Sequence, residues 1–336
     1  MEPPFVNRAL ELGWLRGWAS GFRYVPLYIY GPEGCGKTRL LREFVKKFRD
    51  YFGDDGVAVY IDATEGIDLN KAVITSPGVE LVMDVVKELI SGFVNEGVGR
   101  ALARVATLMI ERALKIRLSD KYVLLAVDDV TRSIGLGNIE WYIKWLYEYM
   151  QRFMSDYGPR AVNVIATTSE GESLRLLIRH NYLVIKLMWN LNKESFEELY
   201  QSLKPPSGLY LDDVWALLGG NPRALWELAT TFNWDLTAYR YSVIERLMPV
   251  IDEVRVGGLV RELIEVVNDP DVLQRDPSTR LMELNEILMR NNLIIYKWVT
   301  SIGDVKIPKD PELGIGGEYY AWQLPIYKTT IMQILR

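Results

Sequence analysis

The stretch that decides the fold is Leu27-Tyr28-Ile29-Tyr30-Gly31-Pro32-Glu33-Gly34-Cys35-Gly36-Lys37-Thr38. With Pro26, its first four residues read as a short buried strand, and the glycine-rich segment after it opens directly onto a helix. Over residues 38–51 that helix puts Leu40, Leu41, Phe44, Val45 and Phe48 on one face and Arg39, Arg42, Lys46, Lys47 and Arg49 on the other. The basic run is therefore expected to be a solvated helix face. Gly31 to Thr38 fits G-x-x-x-x-G-K-[ST] in the strand-loop-helix context that this pattern requires. Glycines let backbone N–H groups close around phosphate oxygens, and the helix N-terminus adds its positive end. The expected nucleotide contacts are Pro32, Glu33, Gly34, Cys35, Gly36, Lys37, Thr38 and the adjoining Arg39. Lys37 is expected to reach the β and γ phosphates and Thr38 to ligate magnesium. Cys35 stands at a freely variable position of the pattern, so simple tolerance explains it better than a redox role.

A second apolar strand, residues 122–127, ends in Asp128 and Asp129. Ligands of open α/β sheets bind beyond the carboxyl ends of the strands, so both carboxylates are expected beside the phosphate loop. Asp128 is the expected magnesium carboxylate, and Asp129 is the better placed to orient or deprotonate an attacking water. The strand over 162–166 runs into Thr167-Thr168-Ser169-Glu170. Thr168 and Ser169 are the expected polar sensor of the γ-phosphate, with helix capping as the alternative for Ser169.

Further strands are expected over 57–61 and 183–187, alternating with helices over 7–20, 79–94, 100–118 and 138–155. Five nearly unbroken apolar strands separated by helices argue for a parallel sheet covered on both faces. The aromatic residues Trp141, Tyr142, Trp145, Tyr147 and Tyr149 are expected to serve packing rather than ligand stacking. After Trp189 the pattern is helical only, over 193–203, 210–218 and 222–232, with breaks at Pro205-Pro206 and Gly219-Gly220-Asn221-Pro222. This reads as a small lid. Helices near 240–255, 257–267 and 279–290 then lead to strands at 293–299 and 318–323, the outline of a winged helix. The expected division is a nucleotide-binding core over 1–189, a lid over 190–236 and a winged-helix domain over 237–336.

Composition narrows the chemistry. With 49% hydrophobic and 25% charged residues among 336, the chain has the balance of a folded globular protein rather than a disordered or collagenous one. One cysteine allows no internal disulfide, which points to an intracellular protein placed in the cytoplasm. No window approaches the roughly 20 apolar residues that span a bilayer. One histidine and one cysteine leave no zinc ligand set and no Ser-His-Asp or Cys-His choice, so the chemistry falls to carboxylates, Lys, Arg and backbone amides. Thirty-nine basic against 44 acidic residues give a net charge of -5, without the broad positive field of a non-specific nucleic-acid binder.

Taken together, these motifs resemble the archaeal-type ATPases of the STAND branch of AAA+ P-loop proteins, relatives of origin-recognition ATPases, over nearly the whole chain. Phe5-Val6-Asn7-Arg8-Ala9-Leu10-Glu11-Leu12 is similar to the opening motif of that group, with Asn7 in place of its glycine and Ala9 in place of its glutamate. The resemblance implies that Val6, Asn7 and Arg8 contact adenine. Leu218-Gly219-Gly220-Asn221-Pro222-Arg223-Ala224-Leu225 resembles its lid motif, which implies Pro222 near the base and Arg223 as a second sensor of the γ-phosphate. It further implies a five-stranded core, a helical lid, a C-terminal winged helix and a nucleotide-controlled switch. The function expected is an ATP-binding switch ATPase that slowly yields ADP and phosphate with Mg2+. The alternatives are a DNA-binding ATPase of the origin-recognition type and a scaffold that holds ADP without turnover. Residues 285–336 carry six Lys and Arg against five Asp and Glu, which argues against a strong DNA grip and for a protein partner or self-association.

Overall fold

The computed structural model describes residues 4–64, 72–79, 118–168 and 171–335. The helices expected over 79–94 and 100–118 lie outside these residues except at Val79 and Leu118, and Ser169 lies outside them too. The apolar runs form strands in one sheet: β1 Leu27–Tyr30, β2 Gly56–Asp62, β3 Val73–Thr75, β4 Tyr122–Asp128, β5 Ala161–Thr168 and β6 Val184–Leu187. The order is β3-β2-β4-β5-β1-β6, and every pairing is parallel except β2 with β3. The five parallel strands are those expected. The antiparallel edge strand β3 is an addition, and three residues are too few to show a period of two.

This order positions the site. The phosphate loop leaves β1 and the aspartates end β4, with β5 between them. Two strand spacings, about 10 Å, thus separate the two motifs at the carboxyl edge of the sheet. Helices Ala9–Ala19 and Lys37–Lys46 bury Leu15, Leu41 and Phe44 against Ile29, Tyr60, Leu124 and Ile165 on one face of the sheet. Helix Ile139–Tyr157 buries Tyr142, Leu146 and Phe153 against Tyr28, Val59 and Leu125 on the other. In this helix Tyr142 and Tyr149 are core residues, while Trp141 is half exposed. The single helix expected over 38–51 is two, breaking at Lys47 between Lys37–Lys46 and Phe48–Phe52.

Beyond the sheet come helices Lys193–Ser202, Leu211–Leu218 and Pro222–Thr230. They are followed by Leu236–Val256, Val260–Asn268, Val272–Arg275 and Thr279–Arg290. A two-stranded antiparallel ribbon, β7 Ile294–Tyr296 with β8 Tyr320–Trp322, is shorter at both strands than expected. A last helix, Pro325–Leu335, was not expected from the pattern. It opens on a proline, whose missing N–H is no loss at a helix start, and buries Ile326 and Ile331. One apolar cluster runs from Phe196, Leu217 and Leu225 through Val243 and Leu284 to Ile326, so the three helices over 193–230 and the C-terminal helices share a core. The ribbon also reaches the sheet, since Ile295 and Ala321 join the cluster that contains Tyr30, whose hydroxyl donates to the carbonyl of Tyr296. Among the described residues no helix is long and apolar enough to cross a membrane.

Candidate active site

Lys37 is the first residue of its helix and is buried at 6% exposure. Its ammonium donates to the carbonyls of Gly31 at 2.9 Å and Pro32 at 3.0 Å, so it is folded inside the loop. The loop tolerates no side chain where Asn221 and Arg223 meet it. Gly34 has φ +78, and a Cβ there would lie 2.6 Å from Arg223 Cβ and 2.9 Å from Asn221 Oδ1. Glycine is needed here both for the left-handed backbone and for the close approach.

Across the crevice, Asp128 is almost wholly buried and both of its oxygens are used: Oδ2 accepts from the Tyr60 hydroxyl at 2.7 Å and Oδ1 from the Thr167 hydroxyl. Thr167 Oγ1 also accepts the backbone N–H of Asp129 at 3.0 Å, which fixes the turn from β4 into the short helix Val130–Ile134. Asp129 stands at φ 51 at the start of that helix. Burial, and next the neighbouring Asp128, push its carboxyl above the ordinary range, with Lys37 and Arg132 pulling the other way. A carboxylate of raised pKa is the stronger proton acceptor.

A cavity of about 570 Å³ lies between these groups. Its floor is the loop, with Glu33, Gly34, Gly36, Lys37, Thr38 and Arg39, and its far wall is Asp128, Asp129 and Arg132. Helix Pro222–Thr230 closes it with Pro222, Arg223 and Trp226, and Asn292 reaches it from the turn between helix Thr279–Arg290 and β7. Arg223 sits against the loop, its guanidinium 3.0 Å from the Glu33 carboxylate and its N–H 3.3 Å from the Gly34 carbonyl.

Other expected contacts lie elsewhere. Val6, Arg8, Cys35, Gly36, Arg39 and Pro222 border a smaller, mainly apolar recess of about 60 Å³ that shares Gly36, Arg39 and Pro222 with the cavity. Arg8 is buried and braces the loop there, donating to the carbonyls of Cys35 at 2.8 Å and Trp189 at 2.9 Å and pairing with Glu11 at 2.6 Å. Asn7 borders neither space; its amide goes to the Ser195 hydroxyl of the first lid helix. Pro32 contributes its carbonyl to Lys37 rather than a wall to the cavity. Thr168 is fully buried and does not line the cavity, and the hydroxyl at the carboxylate pair is that of Thr167. Alternation along β5 explains the offset of one residue, since neighbours in a strand point to opposite faces.

Several residues of the site were missed in the sequence. Tyr60 and Thr167 could have been found from strand register, because Asp62 pairs with Asp128 and Ala166 with Val127 at the same sheet edge. Arg132 follows Asp129 by less than one helical turn and was within reach of the same reasoning. Asn221 carried a local signal as an N-cap before proline, which it is, accepting the Ala224 N–H at 3.0 Å. Its amide also donates to the Glu33 carbonyl at 2.8 Å, and nothing local announces that contact. Asn190, Asn292 and Gln323 carry no sequence signal at all.

A phosphate loop, a facing carboxylate pair and a parallel sheet that joins them define the class: an α/β P-loop NTPase. More narrowly, residues 5–228 match the family described as an ATPase domain predominantly from Archaea, and the chain belongs to that family. Among solved structures it is similar to the Aeropyrum pernix ORC2 protein in ADPNP-ADP complexes, at 15% identity and TM-score 0.40 over 99% of this chain and 96% of that one. It is also similar to AMPPCP-bound DnaA from Aquifex aeolicus, at 16% identity and TM-score 0.37 over 84% of this chain and 81% of that one. No curated protein matches.

Proposed function

We propose that the chain is an ATP-binding switch ATPase of the AAA+ class, in its STAND branch, which slowly converts ATP to ADP and phosphate. The observation that carries this reading is the common cavity of Lys37, Thr38, Asp128 and Asp129, closed by Pro222 and Arg223. Lys37 exchanges the carbonyls of Gly31 and Pro32 for the β and γ phosphates, a trade of neutral acceptors for charged ones. Asp129, raised by burial and by Asp128, accepts the proton of the attacking water. Thr167, whose hydroxyl bonds Asp128 and the Asp129 N–H, orients that pair. Arg223 leaves Glu33 for the terminal phosphate when ATP is present. The apolar recess beside Val6 and Pro222 takes the adenine edge of the nucleotide.

The donor set suits magnesium rather than a metal caged by protein. Among the described residues no group of three or more His, Cys, Asp or Glu could hold an ion. A small hard cation that keeps its waters and takes one or two protein oxygens plus phosphate needs no such cage. Thr38 and Asp128 would hold it, and it would neutralise charge developing between the β and γ phosphates.

The proposed division is a core over 1–189, a lid over 190–236 and a winged helix over 237–336, with the last two moving as nucleotide changes. The single buried cysteine supports a cytoplasmic setting. The test of the binding half of this reading is titration calorimetry of wild type and Lys37→Ala with MgATP. Binding by wild type and its loss in the variant supports the site; equal binding by both removes it.

A further inference from the structure

Three buried carboxamides from three separate segments form one network at the phosphate loop, and two of them bond the backbone of Glu33. Gln323, directly after β8, accepts the Glu33 N–H at 2.8 Å through its side-chain oxygen. Asn221, the lid cap, donates to the Glu33 carbonyl at 2.8 Å. Asn190, beyond β6, accepts from Asn221 at 3.0 Å and donates to the Gln323 backbone carbonyl at 3.2 Å. Exposure is 6% for Asn190, 1% for Asn221 and 2% for Gln323. Gln323 is itself locked to the ribbon, its backbone N–H on the Leu293 carbonyl at 2.9 Å and its side-chain amide on Ile294 at 3.4 Å.

A buried amide costs free energy unless its partners are in place, and these three are satisfied together only in one register of ribbon, lid and loop. The backbone of Glu33 is thus held at its N–H and its carbonyl, while the carbonyls of Gly31 and of Pro32, the latter in the same peptide unit as the Glu33 N–H, hold Lys37. Phosphate entry draws Lys37 off those carbonyls. The Glu33 peptide lies between what must then move and what the amides fix.

Resting on the reading of the cavity as an ATP site, we propose that Gln323 is a positioning residue for that site. It fixes Glu33 so that the following loop amides face the phosphates, and it makes the C-terminal ribbon order together with the loop. Gln323→Met keeps length and burial but removes the acceptor, leaving the Glu33 N–H unpaired. MgATP and MgADP affinity of the full chain should both fall about tenfold, the factor one unpaired buried amide supports. Tyr320→Phe is the comparison: it removes the Asn285–Tyr320 bond of 2.9 Å in the same module without touching the loop, so it should lower the thermal midpoint and leave affinity unchanged. Gln323→Met binding like wild type, or Tyr320→Phe losing affinity equally, overturns the positioning role. A wild type that binds neither nucleotide overturns the ATP-site reading instead. If Gln323→Met does not fold, hydrogen exchange of the wild type decides: MgATP should protect peptides over 31–36 and 318–324 together, and protection confined to the loop contradicts the proposal.

Discussion

Lys37 is enclosed by its own loop, with two carbonyls as partners and almost no contact with solvent. Lys37→Ala therefore removes a charge that no backbone amide replaces, and ATP affinity should fall about a hundredfold, the scale of one or two charge-assisted hydrogen bonds. Calorimetry with magnesium present measures it, and circular dichroism should show the fold kept. Asp129 offers a pH test. Burial and Asp128 raise its carboxyl, so it becomes neutral at a higher pH than an ordinary aspartate of about 3.9. A base must be ionised to work, so single-turnover hydrolysis should fall with acid along a limb that lies above that value. Asp129→Asn should bind ATP and lack the chemical step; unchanged hydrolysis in that variant would assign the base elsewhere. At this scale the sequence was most legible where chemistry needs contiguous residues. Gly31 to Thr38 and Asp128-Asp129 were readable because strand, loop and charge follow one another in the chain. Thr167 was misjudged by one position because only the strand's facing distinguishes it from Thr168.

Among the elements, the ribbon depends on a residue far from it in sequence. Asp271 is buried and accepts three successive backbone N–H groups, from Glu318 at 2.7 Å, Tyr319 at 3.0 Å and Tyr320 at 2.8 Å. Burial alone would raise its carboxyl; the three amides outweigh that and hold it below the usual range. A lowered folded pKa means stability present above the unfolded value, about 3.9, and lost as pH falls through the folded value. Asp271→Asn should cost about 2 kcal/mol near neutrality and less in acid, read from denaturant melts at several pH values. A cost independent of pH would deny the carboxylate this role. On helix Pro222–Thr230, Arg223 bridges to Glu33 and faces the cavity, so under the proposed sensor role Arg223→Ala should weaken ATP more than ADP, and equal losses would leave it a structural residue. The parallel strands were legible from unbroken apolar runs. Neither β3 nor the helix Pro325–Leu335 was: the first is too short to show a period, and the second is a mixed run, Pro-Ile-Tyr-Lys-Thr-Thr, whose helicity comes from packing on its neighbours.

Three parts of the chain meet at the candidate site: the sheet edge, helix Pro222–Thr230 and the C-terminal ribbon region, with Asn292 on the cavity and Gln323 on the loop. The part played by the C-terminal segment could not be read from the chain, because the carboxamides of the network at Glu33 are spread from Asn190 to Gln323 and only Asn221, as a helix cap, carries a local signal. The proposed preference for a protein partner over DNA rests on the net charge of -5 and the near balance of charge over 285–336. Labelled duplex should bind weakly and be released by about 150 mM salt, since few phosphates can be neutralised. Submicromolar binding that survives that salt in an anisotropy titration would instead support an origin-recognition role. The account's central claim is that ATP held at Lys37 is hydrolysed through Asp129, and single-turnover conversion of MgATP by excess protein tests it most directly. Bound ATP should become ADP with phosphate release well below the enzyme median of about 10 per second, and Asp129→Asn should bind ATP and leave it intact. ATP that stays bound and uncleaved on wild type, or cleavage undiminished in Asp129→Asn, would contradict it.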